Sequence, residues 1–181
     1  MGFILPRLSE KVAQNERTLF TFLSSDNKYT LSAFLENAQG DFPLLTPDYI
    51  YDYFELLFRK EAYLSNIHKM YKLTAHVLRR LDENSLSAKI IKTIALIYLV
   101  EQFEKLPPIH NILVDTFIDT VSDISEINDV LTDLIEKDCI VYLKRSNGYL
   151  KIKESSGVDI PTEINRVIEK TSTTNKCKRD T

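Results

Sequence analysis

The chain has 181 residues, 44% of them hydrophobic and 27% charged, with a net charge of −3, the make-up of an ordinary soluble protein with room for one large core or two small ones. That balance offers no general attraction to nucleic acid or to an anionic membrane, and the longest apolar run, Ile94 to Val100, is far short of the roughly 18 residues of a membrane span. Two cysteines, Cys139 and Cys177, are too few for a disulfide framework or a zinc site, so a reducing cytoplasm and no metal are expected.

The opening residues contain no extended apolar signal segment. Phe3, Ile4, Leu5, Leu8 and Val12 follow one another with almost no polar lead-in, whereas native termini are generally more polar. The expectation is a polypeptide that begins inside a larger one, with Met1-Gly2 as an added start. Thr30 then caps a short helix, LSAFLENA, ending near Gly40. Thr46-Pro47-Asp48 supplies a capping hydroxyl, a proline for the first helical position and an acid for the first turn. The helix it opens is rich in aromatic residues that belong in a core. Its Asp48, Asp52 and Glu55 recur at helical spacing, the pattern of a solvated face.

The periodicity predicts a long helix from about Glu61 to Asp82. Lys69, Lys72, Arg79 and Arg80 gather with His68 and His76 on roughly a third of its circumference, opposite an apolar remainder. Such a face is either solvated or a docking surface for an acidic partner or a phosphate backbone. The two histidines lie about 12 Å apart along the axis, too far to share a metal. Asp82-Glu83-Asn84-Ser85 is a polar break and the best domain boundary, separating residues 1–84 from 85–155.

Beyond it the helix from Leu86 to Glu101 has almost no polar side and must be covered all round. Pro107-Pro108 ends that pattern. Helices over 111–118 and 125–136 follow, then a hairpin from Cys139 to Glu154 turning at Ser146-Asn147-Gly148. Ile140, Tyr142, Tyr149 and Ile152 alternate along it on either side of that turn. Residues 156–181 read as a short helix or linker and a polar, disordered tail. The expected fold is mainly α: a helical bundle followed by a winged helix with a two-stranded wing.

The charges conflict with DNA reading. A winged helix inserts its third helix into the major groove, and here that helix and its end carry Glu126, Asp129, Asp133, Glu136 and Asp138 against Lys137. The wing instead carries Lys144, Arg145, Lys151 and Lys153, with Glu154 the nearest opposing charge in sequence. Lysine on a hairpin commonly blocks edge-to-edge pairing; it can also contact phosphate, giving salt-sensitive, non-specific affinity. The third helix decides, because groove insertion requires it and a wing alone reads little sequence.

No catalytic constellation is visible. The four glycines, at 2, 40, 148 and 157, permit neither a phosphate loop nor a dinucleotide fingerprint, and no H-E-x-x-H occurs. Serine and cysteine lack a nucleophile elbow or an adjacent histidine. Catalysis and a cofactor of the chain's own are not expected.

The segments ILPRLSEKVAQNERTLFTFLSS, SAKIIKTIALIYLVEQ and LTDLIEKDCIVYLKRSNGYLKI together resemble the region that follows the nucleotide-binding core in large bacterial P-loop ATPases of the AAA or STAND type, among them members linked to phage defence. The likeness covers residues 3 to 160, and Gln14 to Phe20 is its most specific piece. It implies a helical lid-like segment over 1–84 and a winged helix after it. The phosphate loop and its partner acidic strand are absent, so ATP would be bound only by a core elsewhere. By position in the motif Arg17 would sense nucleotide phosphates, unless it pairs with Glu10 or Glu16. The resulting expectation is a non-catalytic regulatory or protein-interaction module. It would couple nucleotide state to a partner (an ATPase core or an effector) through rigid-body movement of the winged helix against the lid. The alternative is a non-specific DNA-binding module using the basic wing and helix face; no membrane partner is expected.

Overall fold

The computed structural model describes residues 4–12, 15–38 and 44–154; the expected tail, the helix end near Gly40 and the added start lie outside them. Eight α-helices are described: α1 (Ile4–Lys11), α2 (Asn15–Ser24), α3 (Leu31–Asn37), α4 (Pro47–Lys60), α5 (Asn66–Leu78), α6 (Leu86–Val100), α7 (His110–Phe117) and α8 (Ile124–Glu136). A 3-10 turn, Ile118–Thr120, follows α7, and strands β1 (Ile140–Lys144) and β2 (Tyr149–Ile152) end the described chain. The protein is mainly helical with a small two-stranded antiparallel sheet. No described helix is long and apolar enough to cross a membrane.

Helix α6 is the axis of the structure. The Ser85 hydroxyl accepts the Ala88 N–H at 3.2 Å and starts it. Glu101, in the left-handed region at φ 56°, stops it by donating its N–H to the Ile97 carbonyl. Between these ends Ile90, Ile91, Ile94, Leu96 and Ile97 are all buried, as a sequence with no polar side requires. Helices α1, α4 and α5 pack against α6 along with α8 and β2. The polar break expected as a boundary is a turn in which Asn84 donates its N–H to the Asp82 carboxylate. One buried cluster runs across it, from Ile4 and Phe54 to Leu134 and Ile152.

Two helix starts differ from expectation. Helix α5 begins at Asn66, not near Glu61, and ends at Leu78. The Ser65 hydroxyl accepts the His68 N–H at 3.1 Å, and Glu61 is the extended C-cap of α4, so two caps interrupt what the apolar period runs through. Arg79 and Arg80 therefore lie at and beyond the end of α5. At α4 the chain enters through Thr46 and Pro47 as expected, yet the Thr46 hydroxyl makes no cap hydrogen bond; the proline and the extended entry define this start.

Helix α8 stops in a Schellman turn. Asp138, at φ 57°, donates its N–H to the Ile135 carbonyl, and Cys139 donates to Leu134 at 2.9 Å. The chain enters β1 directly, with Cys139 buried against the helix end. In the hairpin Ile140 faces Ile152 and Tyr142 faces Leu150, but Lys144 faces Tyr149, leaving Leu143 as an extra residue. Beyond the paired Ile140, Leu150 and Ile152, which are buried, Tyr142 and Leu143 stand 43% and 46% exposed. Tyr142 is thus on the outside, because the inward side of β1 ends at its first residues.

A further strand pairing precedes α7. Ile109 bridges Tyr149, and the Pro108 carbonyl accepts the Leu150 N–H at 2.7 Å. The Tyr98 hydroxyl donates to the Leu150 carbonyl, so α6 also holds β2.

Candidate functional site

The outer side of α8 is an acidic surface. Glu126, Asp129 and Glu136 have no ion pair among the described residues, and Glu126, Asp129 and Glu136 are exposed. Asp133 is tied to Lys137 one turn on, at 2.7 Å. At the helix end, Asp138 reaches Lys153 of the hairpin at 2.8 Å.

That last contact changes the reading of the wing. Glu154 is not its nearest opposing charge: it lies 3.7 Å from Lys151, whereas Asp138 holds Lys153 more closely. The Lys153 N–H also donates to the Cys139 carbonyl, so strand pairing brings the lysine beside the left-handed turn. Two of the four wing cations are therefore engaged by carboxylates. Lys144 and Arg145 remain exposed at the tip with no ion pair among the described residues.

Lys69, Lys72, Arg79 and Arg80 are all exposed, each with its own surroundings. Lys69 borders a groove of about 810 Å³ between α5, the end of α6 and the exit of β2. Lys72 sits over the Tyr63 ring, 4.4 Å from its centroid, and donates to its hydroxyl. Arg79 lines a second groove of about 350 Å³ with Asp52, Glu55 and Glu83. Arg80 donates to the Lys137 carbonyl at 3.2 Å, a guanidinium at the negative end of α8. Among the described residues, Arg80 is the cation of this set that reaches the end of α8. His68 lies between Tyr63 and Tyr71 with its ring tilted to both, and no described group of histidine, cysteine, aspartate and glutamate could hold a metal ion.

Arg17 is exposed on α2 and borders neither groove. Glu10, one partner expected for it, is engaged by Arg7 at 3.2 Å instead.

The sequence reading missed a buried charge cluster. Asp48 and Asp52, expected on a solvated face, turn inward onto α6, where Lys92 lies 2.7 Å from Asp52. The reason is the apolar circumference of α6: α4 covers it, and the acid-bearing edge of α4 meets the one lysine that α6 carries at its buried centre. Burial pushes the Asp48 carboxyl above its ordinary value, against the pull of Thr46, Lys89 and Lys92. It pushes Asp52 up as well, outweighing the opposing contribution of Lys92. Lys92 inside an otherwise apolar run was the available signal, since a buried ammonium needs a carboxylate. The cluster orients α4 on α6; Lys92 engages Asp52, while the Asp48 Oδ1 is buried with no hydrogen-bond partner among the described residues.

No family model, no curated protein and no solved structure matches this chain.

Proposed function

We propose that this chain is a protein-interaction module whose second half, from α6 to β2, is a winged helix that does not read DNA. The order of elements supports the winged-helix reading: a buried helix, a strand-like segment paired to the hairpin, two further helices and a two-stranded wing. The single observation that carries the function is the outer side of α8. Glu126, Asp129 and Glu136 present carboxylates with no described cation against them, where a DNA reader would meet phosphate. The surface suits a basic protein partner, and the resemblance to the region after a P-loop ATPase core makes such a core, in the cytoplasm, the partner proposed. The module adds no catalytic group or cofactor of its own.

Rigid-body movement of residues 85–155 against 1–84 would strip α6 from α4 and α5, exposing buried Ile90, Ile91 and Ile94. The reading favoured here is therefore docking as one body, with nucleotide-dependent movement located outside it.

A second reading rests on Lys144 and Arg145, exposed at the wing tip with no ion pair among the described residues, as contacts for a phosphate backbone. Fluorescence anisotropy with a labelled random-sequence duplex separates the two. The docking reading expects no binding even at low salt. Salt-sensitive binding that disappears in the Lys144→Glu, Arg145→Glu double variant would replace it with the second.

A further inference from the structure

Among the described residues, the groove beside Lys69 has a floor and no cover. Ile67, Met70 and Leu73 of α5 lie along it at helical spacing, over about 9 Å, facing Tyr98 and Leu99 of α6. It encloses about 810 Å³, and Lys11, Glu61, Lys69 and Glu101 also line it. Glu154, the last described residue, lies on the rim, so the chain leaves the hairpin at the mouth of the groove.

The sequence that leaves there is suited to enter it. In SSGVDIPTEINRVIEK (155–170), Ile160, Ile164, Val167 and Ile168 recur at i, i+4, i+7 and i+8. Pro161 fits a first helical turn, and Glu163, Arg166 and Glu169 fall on the other sides. We propose that residues 160–168 are the occupant of this groove, laid in as an amphipathic helix of the same chain. Two turns of such a helix cover about 12 Å, matching the apolar floor. The six residues from Glu154 to Ile160 can span about 20 Å, and so short a tether favours the chain's own segment over a second copy by effective concentration. Lys69 has no ion pair among the described residues and stands at the rim to meet Glu163 or Glu169. The inference is independent of the function proposed above, since it concerns neither α8 nor the wing.

Two measurements on the full-length chain test it. In a Cys177→Ser background, Met70→Cys or Leu73→Cys is paired in turn with cysteine substitutions for Ile160, Ile164 and Val167, and each variant is oxidised in dilute solution. Disulfide closure within one chain is expected for at least one pair, read as a monomer of increased gel mobility. Closure only between chains assigns the groove to a second copy, and closure of none removes the segment as occupant; either overturns the proposal. Independently, the Ile164→Asp, Val167→Asp variant should lose hydrogen-exchange protection over residues 67–73 while the amides of α8 keep theirs. Unchanged protection over 67–73 overturns the proposal whatever the cysteine variants do.

Discussion

Two lysine–aspartate pairs of almost the same length do different work in two parts of the molecule. Lys92 and Asp52 meet at 2.7 Å with side chains 9% and 14% exposed, wedged between α4 and α6. Lys153 and Asp138 meet at 2.8 Å with side chains 42% and 65% exposed, at the base of the wing. Separation does not distinguish them; solvent does. The first pair has given up its hydration, so each partner depends on the other. The second exchanges its partner for water and salt at little cost. Charge placed inside thus defines how α4 sits on α6, while charge placed outside leaves the wing and α8 open to another molecule.

The largest expected effect comes from breaking the buried pair. Asp52→Ala leaves an uncompensated ammonium and should destabilise the chain by about 3 kcal/mol in urea denaturation. Replacing both partners with apolar residues of similar size, Asp52→Leu with Lys92→Met, should recover most of that loss or exceed wild type. A single-variant loss as small as that expected at the wing would show that solvent reaches both pairs equally.

The neighbouring Asp48 sharpens the contrast through pH. Burial raises its folded-state carboxyl above the ordinary 3.8, so the folded chain holds that proton more tightly than the unfolded chain. Its contribution to stability is fully present below the ordinary value and is lost as pH rises through the raised one. Relative to wild type, Asp48→Asn should therefore be favoured at about pH 7 and lose that advantage as pH falls toward about 4. Denaturation midpoints for both proteins across that range check the sign; an advantage that grows on acidification would refute the burial of this carboxyl.

At the wing base, Lys153→Ala should cost less than about 1 kcal/mol, and salt should shrink the difference. Smallest of all, the Lys144→Glu, Arg145→Glu variant should leave stability within about 0.5 kcal/mol of wild type. That makes it a clean probe of binding.

Much of the helical framework was legible because its signals are local. Thr30 and Ser85 cap the helices their positions announce, and a run without a polar side had to become the buried α6. The long helix over 61–82 failed because apolar periodicity continued through the break that Ser65 makes at its start. The inward turn of Asp48 and Asp52 was hidden for a different reason. Spacing on α4 says that the carboxylates share a face, but only the lysine on α6 says where that face goes. Asp138 and Lys153 are likewise paired through the hairpin register, and Pro108 was read as a helix stop with no sign of its partner Leu150. The surface acids of α8 were legible as a set; the division of the α5 cations among Tyr63, the Arg79 groove and the end of α8 was not.

The bond from Leu150 to the Pro108 carbonyl, with Tyr98 gripping the same residue, makes the hairpin a handle on α6. A pull applied at the wing is loaded onto both bonds and, through Tyr98, carried into α6. Tension at the tip therefore cannot peel the hairpin away strand by strand without also straining α6. A partner that seizes the wing would tug on the whole helical body, and the first part to yield should be the left-handed turn at Asp138.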